Sequence, residues 1–269
     1  MRLLLTNDDG IHAEGLQSLR QVLSASPMME VFTVAPDRER SASGHAITMH
    51  RPLLVDEIKT NGRRERAWAV GGTPADCTKL AVEAILEERP DVVISGINRG
   101  PNLGTDVFYS GTVSAAIEGA MYGLPALAVS LTAFEGLDYT FAAHFVRHLL
   151  GYLPQLSLKP RILLNVNIPA VEPSQINGVR FTRLGVRQYR NVFDRRLDPR
   201  GRVYYWLAGE LLDPDNDPDS DVIAIKNNFI SITPIHLDLT SHQTLYDLQQ
   251  VEIDLGEIVD RSGILHRTQ

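Results

Sequence analysis

Residues 3–24, LLLTNDDGIHAEGLQSLRQVLS, decide the fold class. Leu3-Leu4-Leu5-Thr6 is a short apolar run without polar alternation, the pattern of a strand buried on both faces. Asn7-Asp8-Asp9-Gly10 ends it with turn-forming residues. From residue 14 to 24, Leu16, Leu19, Val22 and Leu23 recur at helical spacing. The same strand, loop and helix pattern returns along the chain. Residues 31–35 read as a strand, 73–88 as a helix, 91–95 as a strand, 110–122 as a helix, 126–131 as a strand, about 137–153 as a helix and 161–168 as a strand. Such alternation predicts βαβ units, hence an α/β fold with a doubly wound, mostly parallel, Rossmann-like sheet. Helix punctuation agrees: Thr73-Pro74-Ala75-Asp76 supplies a capping hydroxyl, a first-turn proline and a carboxylate at the positive end of the dipole. Gly123 and Pro125 close the 110–122 helix.

The pattern changes after Pro169. Residues 176–208 mix aromatic, apolar and arginine residues without helical period, and are expected to form hairpins that project from the core. Residues 213–219 (DPDNDPD) read as a loop, 231–235 as a returning strand and 243–251 as a short helix or extended tail. No repeat or low-complexity linker divides the chain. The expected organisation is therefore one domain, with an α/β core over 1–170, an extended β-hairpin arm over 171–235 and a C-terminal segment over 236–269.

Composition bounds the function. The chain has 269 residues, 43% hydrophobic and 22% charged, which suits a globular protein able to bury a sizeable core. One cysteine, Cys77, excludes an intrachain disulfide, and Asn7-Asp8-Asp9 interrupts the first apolar run before a signal-peptide core forms. A cytoplasmic protein is expected. No window reaches the roughly 20 apolar residues of a membrane span. The net charge of −7 disfavours broad nucleic-acid coating, leaving a small molecule or a protein as partner.

In a doubly wound sheet, ligands bind beyond the carboxyl ends of the strands. Three polar loops fall there: residues 7–10, 36–45 and 96–104. Adjacent carboxylates such as Asp8-Asp9 repel unless a cation or proton neutralises them, so the pair points to one hard divalent ion, Mg²⁺ or Mn²⁺. The plainer alternative is that one aspartate caps the turn while the other faces solvent. Ser41 and Asn98 supply neutral oxygens from the neighbouring loops, which favours a metal site formed by Asp8, Asp9, Ser41 and Asn98 with positions open to water and substrate. Tyr109-Ser110-Gly111-Thr112-Val113 starts a helix after a glycine-rich loop, offering amides and hydroxyls at Ser110, Gly111 and Thr112 to a phosphate, or simply an N-cap at Ser110.

Other features carry less. Neither G-x-G-x-x-G nor a Walker loop is present. Cys77 reads as a packed residue, and at the Arg position of a Cys-x5-Arg phosphatase loop stands Glu83. His144 and His148 have zinc-helix spacing, but Phe145 replaces the required glutamate, so both read as surface or packing residues. The 213–221 aspartates lack the glycine and closing glutamate of a calcium loop and read as solvated. Arginines 180, 183, 187, 190, 195, 196, 200 and 202 could grip RNA or polyphosphate, or an acidic subunit surface; interface and structural uses are preferred.

With these motifs in place, the chain resembles the SurE (survival protein E) family of metal-dependent nucleotidases. The resemblance runs through residues 3–15 (LLLTNDDGIHAEG), 34–41 (VAPDRERS), 71–77 (GGTPADC), 95–104 (SGINRGPNLG), 109–113 (YSGTV), 164–169 (LNVNIP) and 232–240 (ITPIHLDLT). It implies that Asp8, Asp9, Ser41 and Asn98 are divalent-metal ligands, the set already read from the residues. It also implies hydrolysis of nucleoside monophosphates, extending to 3′-nucleotides and short polyphosphate. A homodimer built by exchange of C-terminal segments, sometimes paired into a tetramer, is implied as well. Asp219-Ser220-Asp221 stands where the family commonly has Gly-Thr-Asp, a departure that bears on loop geometry and substrate preference.

The expected mechanism is attack by metal-activated water, with Asp8 or Asp9 accepting its proton. Ser110, Gly111, Thr112 and Asn102 would hold the phosphate oxygens. His242, matching a C-terminal position of the family linked to catalysis, would protonate the leaving oxygen; an interface histidine is the alternative. Direct attack by Asp8 stays open, although the D-x-D nucleophile pattern is absent. The rival class is a non-enzymatic nucleotide or RNA sensor using the same crevice; no stable nucleic-acid partner is expected on the preferred reading.

Overall fold

The computed structural model describes residues 1–252 except 61, 63, 157–160, 191, 208, 213, 214 and 216. Residues 253–269 of the C-terminal segment and part of the acidic run 213–219 thus lie outside the described residues. The chain falls into two compact units, Met1–Leu237 and Asp238–Gln269.

In the first unit β1 (Arg2–Thr6) leads through a polar loop into α1 (Glu14–Ser24) and β2 (Glu30–Pro36). Next come β3 (Val55–Ile58), β4 (Glu65–Val70), α2 (Pro74–Leu80), β5 (Val92–Arg99), α3 (Gly111–Met121), β6 (Ala126–Leu131), α4 (Thr140–Leu150) and β7 (Ile162–Ile168). The second half contains β8 (Val179–Phe181), β9 (Gln188–Arg190), β10 (Phe193–Leu197), β11 (Val203–Leu207), β12 (Glu210–Leu212), α5 (Asp221–Lys226) and β13 (Ile230–His236). The nine-stranded sheet has the order β3-β4-β2-β1-β5-β6-β7-β13-β8. Its pairs are parallel except β3 with β4 and β13 with β7. The mostly parallel α/β sheet expected from the alternation is therefore present.

The apolar run at the start sets the layers. Leu3 and Leu5 pack with Leu16 and Leu19 of α1 and Val146 and Leu150 of α4. Leu4, pointing the other way, packs with Cys77 of α2 and with Val113 and Ala116 of α3. All three leucines are fully buried, which is why the strand shows no polar alternation. α3 lies close to the sheet because its inner face is small: a Cβ on Gly119 would sit 2.8 Å from Cβ of Val93.

Several elements differ from expectation. The 73–88 helix is α-helical only to Leu80; it then widens into one π-helical turn at Ala81–Ile85, closed by the Leu86 amide on the Ala81 carbonyl at 3.0 Å. The helix expected at about 137–153 spans Thr140–Leu150, after which Leu153–Gln155 forms a short 3-10 turn. β3 and β4 extend the sheet beyond β2, and the short helix α5 follows the acidic loop; none of the three was foreseen. Within 176–208, β8 joins the main sheet beside β13, so the projecting part consists of two antiparallel pairs, β10 with β11 and β9 with β12. Their apolar side chains Phe193, Leu197, Tyr205, Trp206 and Leu207 are exposed.

Asp221 corrects the reading of 213–221 as wholly solvated. It is fully buried, and its carboxylate accepts the amides of Gly104, Gly185 and Val222, each at 2.8 Å. It thereby ties α5 to the loop that follows β5. In the second unit α6 (His242–Leu248) occupies the region read as a short helix or tail.

Candidate active site

Three loops at the carboxyl ends of β1, β2 and β5 are stitched together by backbone bonds. The Asn7 side chain brackets the first turn, donating to the Gly10 carbonyl at 2.9 Å and accepting the Gly10 amide at 3.2 Å. The Arg40 amide donates to the Asp8 carbonyl at 2.7 Å, and the Arg99 amide to Oδ2 of Asp9 at 3.1 Å. Gly10 has φ +101°, and a Cβ there would come within 3.0 Å of the Arg38 backbone, so the residue lets two loops cross.

Asp8 points at the N-terminus of α3. Its Oδ1 accepts a short hydrogen bond from Oγ1 of Thr112. A Cβ on Gly111 would lie 2.7 Å from Cβ of Asp8 and 2.9 Å from its Oδ2, so only glycine allows this approach. Burial pushes the Asp8 carboxyl up from 3.8 to about 6; the Thr112 hydroxyl opposes the rise and the charge of Asp9 adds to it. Asp9 is raised too, first by burial and then by Glu39, while Arg99 pulls it down. Two adjacent carboxylates that both resist ionisation form a site that a cation would stabilise.

Asn98 reaches the site through an irregularity in β5. Ser95 pairs with Ala128 but Asn98 with Ser130, so β5 contains one residue more than β6 over this stretch. Its Nδ2 donates to the Gly100 carbonyl at 2.9 Å, leaving Oδ1 as the acceptor able to serve a cation. Ser41 is exposed and its Oγ donates to Oε1 of Glu39 at 2.8 Å. Asp8 and Asp9 thus stand in the loop after β1, and Asn98 stands in β5 one residue before the Arg99 amide that Asp9 accepts, whereas Ser41 stands in the β2 loop with its hydroxyl turned to Glu39. Two carboxylates plus neutral oxygens fit a hard divalent ion; among the described residues no group of three or more His, Cys, Asp or Glu could hold one.

Ser110 caps α3, its Oγ accepting the Val113 amide at 3.0 Å. Gly111 and Thr112 are buried in the first turn, where helix amides lack intrahelical partners and attract anions. Asn102, expected as a phosphate contact, is tied into a buried network of side chains. Its amide nitrogen donates to Ser130 Oγ at 2.8 Å, its backbone N–H to Asn167 at 2.9 Å, and its carbonyl accepts Nδ2 of Asn165 and Asn167. This buried cluster braces the loop leading to α3, and explains the asparagines of 164–169. His242 belongs to the second unit, with Nε2 2.6 Å from Oδ2 of Asp238, whose carboxyl this bond holds well below the usual range.

On its other side Asp9 lines a cleft of about 430 Å³. Glu14, Glu39, Arg99, Phe134, Glu135 and Tyr139 share that lining. None of these was singled out from sequence, although Glu14, Glu39 and Arg99 sit inside recognised motifs. Ser43 was also missed: its Oγ is buried without a hydrogen-bond partner and would lie 3.1 Å from a Cβ on Gly111. The other expectations fare simply. Cys77 is buried and its thiol is pushed up by that burial, as suits a packed residue. His144 and His148 are exposed on α4. Of the arm arginines, 183, 187, 190, 196 and 202 pair with carboxylates of their own unit.

Fold and site together define a doubly wound α/β protein with an adjacent acidic pair at the carboxyl ends of its strands, one carboxylate buried against a helix N-terminus and the other lining a cleft. The family described as Survival protein SurE matches residues 3–191, and the chain belongs to it. A "5'-nucleotidase SurE" from Pelotomaculum thermopropionicum is 53% identical over 262 residues, 97% of this chain and 98% of that protein. One of the same description from Heliobacterium modesticaldum is 52% identical over 248 residues, 92% and 90% of the two chains. The crystal structure of the SurE protein from Aquifex aeolicus superimposes with a TM-score of 0.79 at 36% identity, covering 93% of this chain and 99% of that one.

Proposed function

We propose that this chain is a divalent-metal-dependent phosphomonoesterase that hydrolyses nucleoside 5′-monophosphates to nucleoside and phosphate, with 3′-nucleotides and short polyphosphate as secondary substrates. The observation that carries the reading is the Asp8 carboxylate, buried beside Asp9 and held against the first turn of α3. Relatives covering nearly the whole chain and described as 5′-nucleotidases support it.

Asp8, Asp9 and Asn98 would hold one Mg²⁺ or Mn²⁺ ion, with Ser41 joining when its hydroxyl leaves Glu39. When bound, such an ion neutralises phosphate charge and lowers the pKa of a coordinated water. The chain's own residues do the rest. Thr112 fixes the Asp8 carboxylate, and the amides of Gly111 and Thr112 with the Ser110 hydroxyl bind phosphate oxygens. Asn102 keeps the loop before α3 in place. Asp9 or Asp8 takes the proton of the attacking water, and His242, paired with Asp238, protonates the leaving oxygen. A homodimer formed by exchange of C-terminal segments, able to pair into a tetramer, belongs to the same proposal, and the exposed aromatic face of β10 and β11 supports a contact of that kind.

The test is phosphate release from 5′- and 3′-nucleoside monophosphates and tripolyphosphate in EDTA, Mg²⁺ or Mn²⁺. Turnover restored by metal and lost in Asp8→Asn is the expected result. Binding without turnover under every ion would replace the enzyme by a sensor, a reading that the internally paired arginines of the arm do not favour.

A further inference from the structure

We propose that the cleft beside Asp9 is the nucleoside subsite, with Phe134 as its base-stacking wall and an acidic rim that ranks nucleotides above polyphosphate. This rests on the nucleotidase reading and specifies its substrate. The carboxylate pair divides the site: Asp8 contacts Thr112 at the anion-attracting end of α3, while Asp9 lines the cleft. A phosphomonoester bound at α3 has, on the Asp9 side of the pair, an open cleft for the group that the phosphate is attached to. About 430 Å³ falls within the roughly 300–1,000 Å³ of small-molecule sites.

Phe134 is unusual for an aromatic in a short loop. It is 69% exposed, yet its ring is seated on Gly100, where a Cβ would lie 2.4 Å from Cε1. Gly100 has φ +102°, so glycine is required there both by the backbone and by the ring. An aromatic held from one side and open on the other is what stacking of a base requires. The charge of the lining adds selectivity. Asp9, Glu14, Glu39 and Glu135 face one arginine, Arg99, whose guanidinium is 3.6 Å from Glu39. An uncharged nucleoside enters such a rim freely, and an exocyclic amino group on the base finds carboxylate acceptors. A polyphosphate tail would bring a negative charge with every added phosphate.

The experiment measures adenosine affinity by calorimetry in EDTA, and kcat and KM for adenosine 5′-monophosphate, β-glycerol phosphate and tripolyphosphate with Mn²⁺, in the wild type, Phe134→Ala and Glu135→Gln. Stacking of one base is worth about 1–3 kcal/mol, so Phe134→Ala should weaken adenosine binding about tenfold. It should lower the preference for the nucleotide over β-glycerol phosphate by a similar factor, through KM. One like-charge repulsion screened by water is worth several-fold, so removing a rim charge should raise tripolyphosphate turnover relative to the nucleotide about threefold in Glu135→Gln. Adenosine binding and substrate preference that are both indifferent to Phe134→Ala would overturn the subsite. If no phosphomonoester is turned over while Phe134→Ala still weakens adenosine binding, the nucleotidase reading fails and the nucleoside cleft stands.

Discussion

Asp8→Asn should stabilise the metal-free protein while abolishing its metal response. The carboxyl rises from 3.8 to about 6 because its charge is buried beside Asp9. The native state therefore binds the proton more tightly than the unfolded chain does. The resulting stability is fully present below about pH 3.8 and is lost as pH rises through about 6. At 1.36 kcal/mol for each tenfold change in proton affinity, the ionised group costs about 3 kcal/mol at neutral pH. Asparagine keeps the shape and the acceptor for Thr112 without the charge. For a chain of this size about 2 °C accompanies each kcal/mol, so at pH 7.5 in EDTA the variant should melt about 6 °C above wild type. At pH 4, where the wild-type carboxyl is protonated in the native state, most of that gap should close. Saturating Mn²⁺ should raise the wild type by mass action and leave the variant nearly unmoved. Differential scanning calorimetry under the three conditions decides the matter. A variant that melts below wild type at pH 7.5 in EDTA, or an equal gap at both pH values, would refute an uncompensated buried charge.

Gly111→Ala forces a methyl to within 2.7 Å of Cβ of Asp8, and should lower stability by about 1–3 kcal/mol and depress metal-restored phosphate release, read by thermal melts and a phosphate assay. Asp221→Ala orphans the amides of Gly104, Gly185 and Val222, and should cost about 3 kcal/mol, a drop of about 6 °C in Tm. Asn98→Ala should weaken Mn²⁺ binding, measured by calorimetry, by at least about tenfold, a loss that even partners outside the ligand shell produce.

The alternating core was legible because its central strands are buried on both faces, α1 and α4 show an apolar stripe, and α3 is apolar or small nearly all round. Val55-Asp56-Glu57-Ile58 escaped notice because β3 is an edge strand whose first three residues are exposed, so no burial pattern is written into it. In β4 the buried stretch is only Ala67-Trp68-Ala69-Val70, four residues with two alanines, too short and too mixed to show a strand period. α5 is only six residues long, shorter than two turns, and its apolar spacing cannot be distinguished from that of a strand. The wider turn after Leu80 has no residue signature, since Ala81-Val82-Glu83-Ala84-Ile85 suits any helix.

At the site, residue types were legible but directions were not. Ser41 and Asn102 offer polar side chains whose direction the sequence does not record; the structure turns the first to Glu39 and the second to Ser130, while Asn165 and Asn167 hold the Asn102 backbone. Glu39, Arg99 and Phe134 meet only through loops of different strands, and no spacing in the chain records that meeting. One direction was nonetheless written in the sequence. Side chains alternate across β1, so Leu4 faces the layer of α2 and α3 while Leu3 and Leu5 face that of α1 and α4. Carrying the same period past Thr6 sends Asp8 to the side of α3 and Asp9 to the side of α1 and α4. That is where they are found: Asp8 against Thr112, Asp9 beside Glu14 and Tyr139. The two consecutive carboxylates are consequently not duplicates. Although β1 ends at Thr6, the turn beyond it keeps the two carboxylates on opposite sides, and here one layer offers a helix N-terminus suited to phosphate and the other an open cleft. The proposed division of the site into an anion end and a nucleoside end thus has the same two sides as the pleat of β1.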